Sequence, residues 1–171
     1  MLLWIGSGAL VAHMMKTRAD PNARTYFIYD SAIDPLFKQR VEDIINADTI
    51  WKHKGFTLTR THTSGDADFN IKLVPRRELD KYHKPRENYK DGSEIRFSFT
   101  INRRDIVIDA QNWTRGVIQS GLNLEEYQRY VILHEVGHAL GYDHVACKKA
   151  PCPIMYQMTR GLESLGSTLN R

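Results

Sequence analysis

The stretch His134-Glu135-Val136-Gly137-His138-Ala139-Leu140-Gly141-Tyr142-Asp143-His144 gathers three imidazoles and a carboxylate at spacings that suit a metal ion. Histidines four positions apart stand about 40° apart around a helix and one turn along it, so His134 and His138 point the same way. Two such ring nitrogens can share one zinc at about 2.0–2.1 Å each. Glu135 falls about 100° further round, beside the ion and not on it. From there its carboxylate can take a proton from a water held by the metal. His144 cannot reach the same ion on a continuing helix, which would carry it about 15 Å along the axis from His134. The chain has to turn back, and Gly141 sits where it must, because glycine adopts the left-handed conformation that ends helices. Three protein ligands leave a fourth position open, as catalytic zinc sites do and structural ones do not. The expected cofactor is one catalytic Zn2+, although a site of three imidazoles also accepts other divalent ions. The remaining histidines, His13, His53, His62 and His83, read as ordinary surface or hydrogen-bonded residues.

The elements that must carry this cluster follow from periodicity. Arg24–Asp30 is rich in aromatic and β-branched residues and reads as a strand. Pro35–Trp51 repeats its apolar residues near 3.6 and opens on Asp34-Pro35, which predicts one amphipathic helix that Gly55 ends. Alternation predicts strands over Phe56–Thr61, Asp68–Val74 and Glu94–Ile101, and Asp105–Asp109 reads as a fifth strand after a turn over Asn102–Arg104, with a long polar loop over residues 75–93. Asn123 and Glu126 resemble a capping box, opening a helix from Leu124 to Leu140 that is interrupted by no proline and by no glycine except Gly137. Strand, helix, four strands and helix describe an α/β (α+β) sandwich on one sheet.

At 171 residues the chain has the length of one domain, and 42% apolar with 26% charged residues is the composition of a folded globular protein. Residues 23–171 form the expected single domain, preceded over residues 1–22 by an apolar segment and spacer. That segment suits a truncated signal or anchor, or an arm packing on the domain. It has no preceding Lys or Arg, and it is shorter than the about 20 residues of a membrane span. Secretion or membrane anchoring is the expected location, with the cytoplasm as the alternative. The formal net charge of +4 is scattered, which speaks against dedicated nucleic-acid binding. Cys147 and Cys152 are close enough for a small disulfide loop, the expectation here; a pair of reduced thiols is the alternative, and no second pair exists to complete a four-thiolate site.

The histidine motif, followed by Cys152-Pro153-Ile154-Met155-Tyr156, resembles the extended signature and Met-turn of the metzincin zinc peptidases. The resemblance is close over residues 123–160. It implies a mixed sheet of about five strands with a backing helix and an active-site helix, then a small C-terminal part bearing the Met-turn. It also implies that Met155 forms an apolar floor under the metal without binding it, with Met158 a weaker candidate for that role. Gly-His-Ala-Leu-Gly, His144-Val-Ala-Cys147, Pro-Ile-Met155 and Gln157-Met-Thr159-Arg-Gly161-Leu162 are together similar to a family of uncharacterised, mostly secreted metzincin-like proteins. Gln157 stands where astacin- and serralysin-like members carry a tyrosine, so Tyr156 is not expected to be catalytic. No cysteine precedes Cys147 to block the metal, as one does in matrixin-like members.

The function expected from these residues is zinc-dependent endopeptidase activity, with His134, His138 and His144 on the metal and Glu135 as general base. The substrate would be a protein or peptide lying extended, added as a strand beside Glu94–Thr100 or Asp105–Asp109, and the enzyme a monomer. Two other readings stand beside this one: a zinc-stabilised protein-binding module without turnover, and a nucleic-acid-associated protease.

Overall fold

A computed structural model of the chain describes residues 20–82, 87, 88, 92 and 94–160. Most of the apolar N-terminal segment, His13, His83, Gly161 and Leu162 lie outside the described residues. The elements are β1 (Ala23–Ile28), α1 (Phe37–Asn46), α2 (Ile50–His53), β2 (Thr57–Arg60), β3 (Phe69–Val74), β4 (Glu87–Asn88), β5 (Glu94–Ile95), β6 (Phe99–Ile101), β7 (Asp105–Asp109), α3 (Ala110–Arg115) and α4 (Leu124–Ala139). Five strands form one sheet in the order β2-β1-β3-β7-β6. The first four run parallel, and β6 pairs antiparallel with β7, Thr100 opposite Ile106. The fold is therefore the α+β arrangement expected from the order of elements, with the mixed sheet that the resemblance implies.

Alternation fixes which face of the sheet meets the helices. Tyr26, Ile28, Phe69, Ile71, Ile106 and Ile108 share the main core with the buried Phe37, Val41 and Ile45 of α1, residues one helical turn apart. Phe99, Val107 and Val74 point to the opposite face, where Leu79 covers them from a run of 3₁₀ turns over Arg76–Tyr82. Trp51 and Trp113 are wholly buried, and Phe37 meets Trp113 edge to face with ring centroids 5.0 Å apart. Among the described residues no helix is long and apolar enough to cross a membrane.

Four expectations need correction. The helix predicted over Pro35–Trp51 starts at Phe37 and breaks after Asn46. The cause is Asp48, buried, whose carboxylate accepts from the N–H groups of Ile50 (2.8 Å) and Trp51 (3.0 Å) and so opens a separate helix, α2. The strand over Glu94–Ile101 divides into β5 and β6 because residues 96–98 bond elsewhere: Arg96 C=O accepts from Asn112 Nδ2 at 2.8 Å, and Ser98 Oγ accepts from Asp109 N–H at 3.1 Å. The loop over residues 75–93 contains the 3₁₀ run and the first strand of a small β4–β5 hairpin. Finally, α3 was not expected at all; Asp109 caps it, accepting from Gln111 N–H at 3.0 Å.

Candidate metal centre and its cleft

Helix α4 carries the first half of the cluster. Its N-terminus is a complete capping box, with Glu126 N–H donating to Asn123 and Asn123 N–H to the Glu126 carboxylate, each at 2.9 Å. Its C-terminus turns where the sequence required. Gly141 takes φ 96°, its N–H donates to His138 C=O at 3.0 Å, and Tyr142 N–H donates to Gly137 C=O at 2.9 Å. That pair of bonds is a Schellman motif, and Tyr142 packs on Trp51 of α2 with ring centroids 4.9 Å apart. Val145 N–H then donates to Met155 C=O at 3.2 Å, bringing the returning loop and His144 alongside the Met-turn.

The three histidines meet. His144 Nε2 lies 3.2 Å from His134 Nε2 and 3.1 Å from His138 Nε2. His134 is buried, His138 partly buried and His144 exposed. The opposite nitrogens are already committed: His134 Nδ1–H donates to Ile154 C=O and His138 Nδ1–H to Tyr142 C=O, both at 2.8 Å. A neutral imidazole protonated at Nδ1 presents a bare lone pair at Nε2, the form a metal needs. Bare lone pairs this close repel, and one proton on His144 could satisfy only one neighbour at a time. A tetrahedral ion with ligands at about 2.0–2.1 Å would set them about 3.3 Å apart. The donor set and its spacing therefore fit, and these three residues could hold a metal ion. Burial, first of all, pushes His134 down to about 4 from 6.5; the His138 and His144 rings push the same way, and the Ile154 bond opposes them. His144 is lowered by partial burial, then by His138 and Arg160. At neutral pH His134 and His144 are thus neutral and ready to ligate.

The segment that resembles a Met-turn packs against α4. Met155 is buried, and a Cβ built on Gly137 would collide with its sulfur and stand 2.6 Å from Trp51 Cζ2. Gly137 is thus the glycine that lets the floor approach the helix between its two ligands, and Trp51 Nε1–H ties the floor to α4 by donating to Leu133 C=O at 3.0 Å. Tyr130 anchors the next residues, its hydroxyl donating to Tyr156 C=O at 3.0 Å and accepting from Met158 N–H at 2.9 Å. Tyr156 is itself buried. Cys147 and Cys152 are joined as a disulfide in the loop between His144 and the Met-turn, with Cα atoms 5.1 Å apart.

Glu135 points to the other wall. It is 4% exposed, and Thr100 Oγ1 of β6 lies 2.8 Å from its Oε2 and 3.0 Å from its C=O. The single hydroxyl proton is shared between those acceptors, and the edge strand thereby fixes the carboxylate. A cleft of about 440 Å³ runs between β6 and the three histidines. Sequence reasoning missed Thr100. Its signal was present in the alternation, since Ile95, Phe97, Phe99 and Ile101 take one face and leave Ser98 and Thr100 on the other. A polar face usually means solvent; here it faces α4. The strand Asp105–Asp109, expected as one of two places for a substrate to add, lies inside the sheet with β3 and β6 on either side and offers no edge. Among curated proteins none matches the chain. Residues 28–168, which include every residue of the cleft, match the family model described as "Protein of unknown function (DUF3152)", and the chain belongs to that family.

Proposed function

We propose that this chain is a zinc-dependent endopeptidase of the metzincin type. One observation carries the reading: His144 Nε2 stands at tetrahedral ligand spacing from the Nε2 atoms of His134 and His138, with a buried carboxylate from the same helix turned into the same cleft. A site that only braced the fold would have no use for that carboxylate. His134, His138 and His144 would hold the ion, and Met155 would support it from below without bonding to it. When bound, zinc makes a water acidic near neutral pH and polarises a carbonyl.

The rest is done by the chain. Glu135 accepts the proton lost by the attacking water and passes it to the nitrogen of the departing amine. Thr100 keeps the carboxylate from swinging while it does so. Among the described residues β6 ends the sheet, and it lines the cleft, which supports an extended peptide adding there by main-chain hydrogen bonds. The apolar first segment supports an exported or anchored protein.

Metal content and cleavage of casein by purified protein, with Glu135→Gln alongside, test the reading. One zinc per chain is expected in both proteins, with cleavage in the native chain and a loss of at least about a hundredfold in the variant. Full cleavage by Glu135→Gln would rule out the assigned base, and a folded protein that takes up no zinc at neutral pH would end the proposal.

A further inference from the structure

The charges around the cleft suggest which peptides it accepts, a point that rests on the peptidase reading. Three arginines, Arg96, Arg103 and Arg160, line it against two acids, Glu135 and Asp143. Two of the three have partners in the protein. Arg96 Nη1 donates to Asp80 at 2.7 Å; Arg160 lies over the Phe97 ring at 5.4 Å and donates through Nε to Gln157 Oε1 at 2.6 Å. Arg103 differs. Its guanidinium makes no hydrogen bond or ion pair among the described residues.

Its backbone is unusual too. Asn102 (φ 50°) and Arg103 (φ 56°) both lie at positive φ, and Arg104 N–H donates to Ile101 C=O at 2.8 Å. This is a type I′ turn between β6 and β7, whose second central position favours glycine. The chain keeps a strained arginine where glycine would sit easily. The side chain reaches the turn that ends α4, with Nη1 3.2 Å from where a Cβ on Gly141 would stand. An unpaired guanidinium beside a cleft that also takes up a divalent ion presents a strong anion-binding fork, and carboxylates match it with two parallel hydrogen bonds.

We infer that the cleft selects peptides bearing a carboxylate next to the bond presented to the metal, and that Arg103 is the residue that reads it. The competing account is that Arg103 only offsets the negative end of α4. In that case its loss would lower stability and leave ligand choice unchanged.

Zinc-loaded Glu135→Gln protein separates these accounts without requiring turnover. Fluorescent peptides blocked at both ends, with Glu, Gln or Lys flanking a common centre, are titrated by anisotropy. A Gln peptide with a free C-terminal carboxylate shows whether the anion comes from a side chain or a chain end. The Glu peptide, or the free-carboxylate peptide if the terminus is the source, is expected to bind at least about tenfold tighter than the blocked Gln peptide, the lower range for a charge-assisted hydrogen bond. The Lys peptide is expected to bind weakest. Adding Arg103→Gly, a change the turn accommodates, should abolish the preference without lowering the melting temperature; Arg103→Glu should invert it. Equal binding of all peptides, no binding by any, or a preference that survives Arg103→Gly overturns the inference. Casein cleavage by the native protein judges the peptidase reading separately.

Discussion

His134 and His138 sit on a capped helix whose inner face is packed against the sheet, whereas His144 sits in a loop with no regular structure of its own. The helical pair is placed by a repeat of 3.6 residues and by two backbone carbonyls that fix the rings. The loop ligand depends on a positive-φ glycine, one bond from Val145 to Met155, and a disulfide further on. All three nitrogens reach the same point by these different routes. The helical half is stabilised by the core itself; the loop half is stabilised by a few local devices and would gain most from an ion bridging it to the helix.

Titration of the metal-free protein sharpens that contrast most. His134 has a folded pKa of about 4 against 6.5 unfolded, so between those values the unfolded chain binds a proton that the folded one refuses. Stability is complete above about pH 6.5, falls as the pH drops to about 4, and changes no further from this group below that. The loss is about 3 kcal/mol. Denaturant titrations of apo-protein at pH 7.5, 5.5 and 4 should show it, and His134→Gln should flatten the slope. His144→Gln should flatten it less, because that ring is exposed. An equal effect from both histidines would mean that the helix and loop halves are not distinct.

The floor of the helical half comes next. Gly137→Ala forces a methyl group into Met155 and the rigid, wholly buried Trp51 ring. Overpacking of this kind costs typically 1–3 kcal/mol, offset by the better helix propensity of alanine at about 1 kcal/mol. Because the Trp51 ring cannot yield, the cost lies near the upper end of that range, and the expected net loss is about 2 kcal/mol, seen as a lower denaturation midpoint. Little change would show that Met155 can move aside and does not act as a fixed floor.

The same division explains what could be read from the sequence. The histidine motif, the capping box and Gly141 are legible because each has a local cause: helical spacing, a side chain three residues from its partner, or a φ that suits glycine. The strands are legible as alternation or as short runs of aromatic and β-branched residues. The break at Asp48 is not, because it needs a buried carboxylate placed by its surroundings. Nor is α3, whose one local signal, Asp109, sits at the end of a strand that seemed to need no cap. Thr100 is hidden for a third reason. Its role depends on β6 lying at the sheet edge beside α4, a pairing between residues far apart in sequence.

Thr100→Val tests that wall and should matter less than the floor. Valine keeps the shape and the β propensity but removes the hydroxyl that meets Glu135 at 2.8 Å. Zinc content should be unchanged, while kcat falls about tenfold, or about 1.4 kcal/mol of barrier, with KM little affected. Thr100→Ser restores the hydroxyl and should recover most of the rate. A fall in kcat that serine fails to rescue would make the contact a matter of packing.

Gly141→Ala is the smallest change and the one aimed most directly at the loop. A residue at φ 96° other than glycine is strained by about 1–2 kcal/mol, partly offset by the lower entropy of the unfolded alanine chain. Global stability should therefore drop by only about 1 kcal/mol. The added methyl also stands 3.2 Å from Arg103 Nη1, a flexible group that can give way. If Gly141 serves mainly to return the chain, that strain falls on the third ligand and not on the core, because α4 is anchored elsewhere by its capping box and its packing. Zinc affinity, measured by competition with a chelator, should then weaken about fivefold or more while the metal-free protein unfolds nearly as before. A variant that loses stability but keeps its zinc affinity would show that the loop holds His144 without the glycine, through the Met-turn bond and the disulfide alone.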